Sequence, residues 1–341
     1  MGHIVVGIDG SENSLHAFDH ALTLARGRNA ALQAVAAYTE PGYGYTPAAA
    51  SASRAGDART LARAALDETV ASAGLSEDEE RRVTTTVVEG DAAKALIEAS
   101  ATADLTVVGQ RGRGRISGRF MGSVSSSVAA HGQCPTLVIP GHTGPHDDAE
   151  PSSAADLLSE DLKAALDAAA AERGDGLARG AHASADAGDD VEKMMDFSGS
   201  VAVGIDLQAE PITLALVAAE YAAQLGHTLT LVAAHRFSAT AWGPVSPIYG
   251  AQVPQMRRDF ADRLELIAGK VAEKTSVPVR WRFFDAAPAT ALGAASATAP
   301  LVVVGTRGRG GFAGLLLGSV SQSLLNRTDA PVLVVPHTRE G

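Results

Sequence analysis

The sequence contains LTVVGQRGRGRISGRFMGS, residues 105–123, and LVVVGTRGRGGFAGLLLGS, residues 301–319. These segments are two copies of one pattern, because the glycines of the first copy and its final serine recur 196 residues later. Each copy begins with an apolar run, which predicts a buried strand, and leads into a helical segment. A glycine-rich loop between a strand and a helix N-terminus is a common phosphate site, so the pattern predicts two such sites.

Both halves of the chain alternate apolar runs with amphipathic stretches. The predicted strands are residues 3–9, 31–38, 83–89, 105–109 and 136–140, then 201–206, 228–236, 277–284, 301–305 and 332–336. The predicted helices are residues 14–26, 57–73, 92–102 and 123–131, then 212–225, 252–274, 288–298 and 320–327. Strands that alternate with helices indicate a parallel sheet covered on both faces. The predicted fold class is α/β, with two tandem open five-stranded parallel-sheet sandwiches of Rossmann-like type.

The chain of 341 residues divides into two folded halves and a connecting segment. We predict a first domain at residues 1–140, an acidic linker rich in Ala, Gly and Asp at 141–199, and a second domain at 200–338. The composition of the linker is typical of a solvated spacer. Its middle, Ser153 to Arg173, has a capping-type start and an apolar side, which predict one helix.

The net charge of −11 is concentrated in the linker. Residues 141–199 hold 14 acidic and four basic residues, whereas the rest of the chain holds 25 acidic and 24 basic residues. The two halves are therefore nearly neutral and offer no broad basic face, so we do not expect nucleic acid as a partner.

The apolar runs are too short for a membrane protein, since none approaches the roughly 18 residues that cross a bilayer. The start of the sequence carries no signal-peptide pattern, because residues 3–9 already read as a strand. We therefore expect a cytoplasmic protein with no membrane partner.

The predicted sites lie at the carboxyl ends of the strands, where open parallel sheets bind ligands. Asp9 and Asp206 each end the first predicted strand of a half, 100 and 99 residues before the first glycine of the loop. Their carboxylates can accept from ribose hydroxyls or help to hold a divalent metal ion. The glycines let backbone amides approach phosphate oxygens, and the serine can donate its hydroxyl to them. These residues are Gly109, Gly112, Gly122 and Ser123 in the first half and Gly305, Gly308, Gly318 and Ser319 in the second.

Simpler readings exist for each feature taken alone. The glycines could form a flexible surface loop, and Ser123 could be a plain helix N-cap. The arginines of the loops could be solvated or could assist a triphosphate: Arg111, Arg113, Arg115, Arg119, Arg307 and Arg309. The repeated spacing favours phosphate binding.

A P-loop is excluded because neither loop contains lysine, and a dinucleotide fingerprint is excluded because the glycines follow the fourth strand rather than the first.

Three further segments make the sequence resemble a known family. They are VVGIDGS at residues 5–11, PTLVIP at 135–140 and PVLVVP at 331–336. Together with the glycine pattern, they are similar to the universal stress protein family in its tandem two-domain, ATP-binding form. The resemblance covers about residues 1–140 and 200–336, and it implies a fold like that of the adenine nucleotide alpha-hydrolases.

The resemblance implies one ATP site in each half, with Mg²⁺ as an optional companion of the nucleotide. The implied residues of the first half are Asp9, Ala37, Gly109, Gly112, Gly122, Ser123 and Val124. Those of the second half are Asp206, Ala234, Gly305, Gly308, Gly318, Ser319 and Val320. The resemblance implies that the backbone of Ala37 and Ala234 lies near adenine and that of Val124 and Val320 near the phosphates. The family also implies that the final strands pair edge to edge, here within one chain, with a homodimer as the alternative.

The two halves depart unequally from the family pattern. Gly10 and Ser11 follow Asp9, whereas Leu207 and Gln208 follow Asp206. Because the second half has lost the small turn residue beside its aspartate, we expect ATP to bind more tightly to the first half.

The function that these features predict is a nucleotide-dependent regulator in stress response. No general base beside a nucleophile stands out in either copy, so no catalytic residue is predicted and at most slow ATP hydrolysis is expected. One alternative is an ATP-using enzyme on a related fold, such as a nucleotidyl transferase or ligase. The other is an interaction scaffold with empty sites, in which the linker would be the working element.

Overall fold

The computed structural model of the chain describes residues 2–39, 48–112, 121–141, 196–209, 211–237, 247–306 and 317–337. The predicted linker helix at Ser153 to Arg173 lies outside these residues.

The described part of the first half alternates strands and helices along the chain. Its strands are β1 (His3–Gly7), β2 (Ala31–Tyr38), β3 (Val83–Glu89), β4 (Leu105–Gly109) and β5 (Thr136–Ile139). Its helices are α1 (Glu12–Arg28), α2 (Ala48–Ser72), α3 (Glu77–Glu80), α4 (Ala92–Ser100) and α5 (Ser123–His131).

The described part of the second half repeats this order without a counterpart of the short helix α3. Its strands are β6 (Ser200–Gly204), β7 (Thr228–Ala234), β8 (Val279–Phe284), β9 (Val302–Gly305) and β10 (Val332–Val335). Its helices are α6 (Pro211–Leu225), α7 (Pro247–Ala272), α8 (Pro288–Ala295) and α9 (Ser319–Arg327). The α/β fold class predicted from the sequence is confirmed.

The ten strands form one sheet in the order β3-β2-β1-β4-β5-β10-β9-β6-β7-β8. All neighbours within each half are parallel. The exception is the junction between the halves, where β5 and β10 pair antiparallel and Leu333 lies opposite Leu137. Since each of these strands is bordered by the other, neither presents an open edge to solvent.

Side chains of the central strands alternate between two apolar layers, one on each face of the sheet. Ile4 and Val6 belong to one layer, and Val5 belongs to the other. The alternation continues through the junction, where Leu333 lies in the first layer and Val332 and Val334 lie in the second. Both layers contain residues of both halves, so the halves share their core.

A second contact between the halves lies where helices α1 and α6 end. The Arg28 side chain donates a hydrogen bond from Nε to Gln224 Oε1 at 2.8 Å. Its guanidinium carbon lies 4.5 Å from the centroid of the Tyr221 ring, a distance at which a cation and an aromatic face attract each other. This contact joins the halves on one face of the sheet.

Two helices of the first half differ from the prediction. Helix α3 was not predicted because its four acidic residues carry no apolar periodicity; it begins with a capping box, in which the Ser76 amide donates to Glu79 Oε2 at 2.8 Å. Helix α2 begins at Ala48, well before residue 57, since an alanine-rich run favours a helix without any apolar side.

No helix among the described residues is long and apolar enough to cross a membrane.

We expect Leu333→Ala to lower the free energy of unfolding by about 2 to 5 kcal/mol, because the Leu333 side chain is fully buried at the junction. Chemical denaturation would measure this change. Leu61→Ala is the matched control: Leu61 is 63% exposed on helix α2, and its replacement should cost less than about 0.5 kcal/mol. Equal losses in the two variants would contradict the role given to the junction.

Candidate functional site

Two cavities lie at the carboxyl ends of the parallel strands, one in each half. The first has a volume of about 600 Å³ and the second about 580 Å³. Strand β1 lies between β2 and β4, and β6 lies between β7 and β9, so each cavity sits where the strand order reverses. All seven residues predicted for the first site line the first cavity. Six of the seven predicted for the second site line the second cavity, and Gly308 lies outside the described residues.

Each cavity is closed on one side by a helix N-terminus whose cap residue is glycine. Gly122 is the N-cap of α5, and Gly318 is the N-cap of α9. Ser123 is therefore the first residue of the helix and not its N-cap, which removes the simpler reading of that serine. Because a glycine cap has no side chain to accept from the first-turn amides, these amides can serve an anion.

The serine two residues further along each helix ties the helix to the loop. Ser125 donates from Oγ to the carbonyl of Gly109 at 2.6 Å, and Ser321 donates to the carbonyl of Gly305 at 2.7 Å. Sequence reasoning missed both residues, although the serine recurs at the same place in the two copies. These hydrogen bonds fix the position of the helix N-terminus relative to the strand end.

The two aspartates are held in the same way despite their different neighbours. The amide of Ser11 donates to Asp9 Oδ1, and the amide of Gln208 donates to Asp206 Oδ1, both at 2.9 Å. The backbone paths differ, since Gly10 has a positive φ of 76° and Leu207 has not. Leu207 is buried and lines the second cavity. Leucine in place of glycine thus preserves the hydrogen bond to the Asp206 carboxylate but adds an apolar side chain to the wall of the second cavity.

The first two loop glycines of the first half are required by different neighbours. A Cβ atom at position 109 would lie 2.7 Å from the backbone oxygen of Asn13, so helix α1 leaves room there only for glycine. A Cβ atom at position 112 would collide with the carboxylate of Asp9. Gly109 is therefore needed for helix packing, whereas Gly112 lets the loop approach the aspartate.

One loop arginine lies within the described residues and lines the first cavity. The Nε atom of Arg111 is buried and has no hydrogen-bond partner in the part of the chain that the structure describes. A buried cationic donor of this kind fits an anionic ligand. The other arginines of the predicted loops, Arg113, Arg115, Arg119, Arg307 and Arg309, lie outside the described residues.

The second cavity has an aromatic wall that sequence reasoning missed. His235 and Phe260 line the cavity and stack with ring centroids 5.1 Å apart and planes 21° apart. The described residues of the first cavity include no aromatic side chain. Beside this wall, Asp285 accepts from the amide of Phe237 at 3.0 Å and forms an ion pair with Arg257. The two cavities thus share the glycine-capped helix N-terminus and differ in their side walls.

The described lining of the first cavity combines backbone amides with one carboxylate and one guanidinium. Among the residues described, no group of three or more His, Cys, Asp or Glu side chains is arranged to hold a metal. In the described wall of the first cavity, the titratable side chains are those of Asp9 and Arg111. Backbone amides and one guanidinium bind anions, and the carboxylate accepts from hydroxyl groups.

Comparison with known proteins finds the same family on both halves. The profile of the universal stress protein family matches residues 1–140 and 198–336. Two universal stress proteins of Mycobacterium tuberculosis (strain H37Rv) are 29% and 30% identical over 261 and 245 residues. These matches cover 74% and 70% of this chain and 65% and 64% of the relatives, so the chain spans about two thirds of their length.

Solved structures show the same fold over nearly the whole chain. A universal stress protein from Archaeoglobus fulgidus matches 99% of this chain and 97% of its own, with a TM-score of 0.60 and 15% identity. A functionally unknown protein from Pseudomonas aeruginosa matches 98% of this chain and 92% of its own, with a TM-score of 0.54 and 15% identity. At these identities the likeness concerns the fold alone.

We expect Gly109→Ala to lower the free energy of unfolding by about 1 to 3 kcal/mol, because the added methyl group would press against the backbone of Asn13. Gly293→Ala is the control: a Cβ atom there meets nothing within 4 Å, and alanine stabilises a helix interior relative to glycine. Thermal or chemical denaturation measures both. A Gly109→Ala protein as stable as the wild type would show that the helix does not require glycine there.

Proposed function

Since the chain belongs to the universal stress protein family, we propose that it binds ATP in both cavities and acts as a nucleotide-dependent regulator in stress response. The curated relatives are longer than the matched region, so the proposal concerns these two halves.

The main observation in support of the proposal is that the same arrangement of residues recurs at one end of each cavity. In each half a glycine-capped helix, a serine that ties it to the strand end and an aspartate lie around one cavity. The first-turn amides and the positive end of the helix dipole favour an anion at that point. The construction recurs in two halves that share a fold but differ in many side chains, which supports a common ligand rather than a common packing need.

The first cavity also offers groups that suit the ribose, the base and the negative charge of a nucleoside triphosphate. The Asp9 carboxylate faces Gly112 and can accept from ribose hydroxyls. Ala37, at the end of β2, offers backbone groups to a base. Arg111 supplies positive charge for the phosphates, and Mg²⁺ bound with ATP would add more. The cavity volume of about 600 Å³ falls in the range of small-molecule sites.

We propose that ATP binds more tightly in the first cavity. Leu207 adds an apolar side chain to the wall of the second cavity beside Asp206, at the place where Gly10 follows Asp9 in the first half. Asp285 is already neutralised by Arg257 and held by a backbone amide, so it offers little to a ligand.

We expect binding to dominate over turnover, because neither cavity pairs a nucleophile with an evident base. Turnover of ATP with a co-substrate would instead favour an enzyme.

We expect Gly122→Glu to abolish the tighter of two ATP sites and Gly318→Glu to abolish the weaker. A carboxylate at either N-cap would occupy the anion position and repel the phosphates, which should weaken that site by about 100-fold or more. Folding should be preserved at position 122, since a Cβ atom there comes no closer than 3.4 Å to a neighbour. Titration calorimetry with ATP and Mg²⁺ measures both sites.

The matched control is Gly269→Glu, which adds the same charge at an exposed position of α7 where a Cβ atom meets nothing within 4 Å. It should leave both affinities unchanged. If Gly122→Glu and Gly318→Glu weaken ATP equally, the inequality of the sites is wrong. If neither variant changes the titration, ATP does not bind at the helix N-termini.

A further inference from the structure

The glycine loop of the first half is bonded at both ends to a helix of the second half. Gln110 donates from Nε2 to the carbonyl of Leu325 at 2.6 Å. The amide of Met121 donates to Asn326 Oδ1 at 3.0 Å. Leu325 and Asn326 are consecutive residues near the C-terminal end of α9, so one short segment holds both ends of the loop.

These contacts sit beside the phosphate end of the first cavity. Gln110 directly follows Gly109, and Met121 directly precedes Gly122, the N-cap of α5. The amide of Gly122 also donates to the carbonyl of Gln110 at 2.8 Å, which ties the two ends of the loop to each other. Gln110 is 4% exposed, so its hydrogen bond is shielded from water. Movement at either end would shift the amides proposed to face phosphate.

Among the residues that the structure describes, the second half shows no equivalent of this attachment. Equivalent positions of the two halves lie 196 residues apart. The position of Gln110 is occupied by Thr306 in the second half, and the position of Asn326 is occupied by Ala130 in the first half. Thr306 accepts from the amide of His337 in its own half, at 3.2 Å. Ala130 has no side-chain acceptor. The attachment is therefore a property of one loop and not of the repeat.

Helix α9 also belongs to the other cavity. Ser319, Val320 and Ser321, in its first turn, line the second cavity. The helix has nine residues and is thus about 13 Å long, with the second cavity at one end and the loop of the first at the other. The first loop is therefore supported by the element that closes the second cavity.

We propose that Asn326, together with Gln110, is a positioning residue for the first nucleotide site, so that a side chain of the second half sets the affinity of the first. The inference rests on the proposed ATP binding. Asn326 is not part of the described lining of the first cavity; it holds the amide of Met121, and through it the N-cap of α5, in place.

The test uses Asn326→Ala, with the full chain and two measurements. Hydrogen exchange of the ATP-free protein should show faster exchange at the amide of Met121, with no change at residues 317–318 of the other loop. Asn326→Asp, which keeps an acceptor at the same place, should retain slow exchange. Gln110→Met, similar in size but lacking the donor, is a second variant that loosens the other end of the loop.

Affinity is measured in a Gly318→Glu background, so that only the first site is titrated. Asn326→Ala and Gln110→Met should each weaken ATP binding by about fivefold, the value of one hydrogen bond. Gln322→Ala, which removes an amide from an exposed position of the same helix, should change nothing.

The outcomes separate this inference from the proposed function. If the background protein binds ATP and Asn326→Ala binds it equally well, the positioning role is wrong while ATP binding stands. If Gln322→Ala weakens binding as much as Asn326→Ala, the effect belongs to the helix as a whole and the inference is also wrong. If the wild-type protein binds no ATP at either site, the proposed function fails, and the inference fails with it even where exchange at Met121 accelerates.

Discussion

Strands β5 and β10 pair antiparallel, and this single line of backbone hydrogen bonds turns two five-stranded sheets into one of ten strands. Each strand is short and buried, so a half on its own would expose an apolar edge to other chains. The pairing removes that edge and makes the apolar layers on both faces continuous between the halves. It also brings α9 against the loop that follows β4, which a chain of two separate domains would not do.

The position of the cavities follows from the strand order. In each half the first strand lies between the second and the fourth, so the connections leave it in opposite directions and a crevice opens at its carboxyl end. The sequence places an aspartate at that end and a glycine-capped helix beside it in both halves. Hydrogen bonds from Ser125 and Ser321 then fix each helix N-terminus to its strand, so the first-turn amides are held at the edge of the cavity.

Much of this arrangement was predictable because it depends on local pattern. Apolar runs such as residues 105–109 predict strands, and the repeated glycines predict the loops; the fold class and the family that followed from them are confirmed. The site residues remain a prediction, although the structure gathers the described ones around two cavities. The role of Gly109 was assigned to phosphate approach, and its closest neighbour proves to be the backbone of helix α1.

What the sequence could not predict depends on contacts between distant residues. Nothing in the neighbourhood of Asn326 indicates that it meets Met121, because that contact exists only once β5 and β10 pair. The aromatic wall of His235 and Phe260 combines residues from a strand and a helix that lie apart in the sequence. The two copies of the loop are equivalent in spacing, and their difference arises from the residues that surround them.

Mass analysis of the small molecules released when freshly purified protein is denatured would test whether the two cavities hold adenine nucleotide, as we propose. We expect release of ATP, together with ADP where slow hydrolysis has occurred. Gly122→Glu should release markedly less nucleotide than Gly269→Glu. If the protein releases no nucleotide and also gives no binding signal on titration with ATP and Mg²⁺, ATP binding is wrong and an interaction scaffold is favoured.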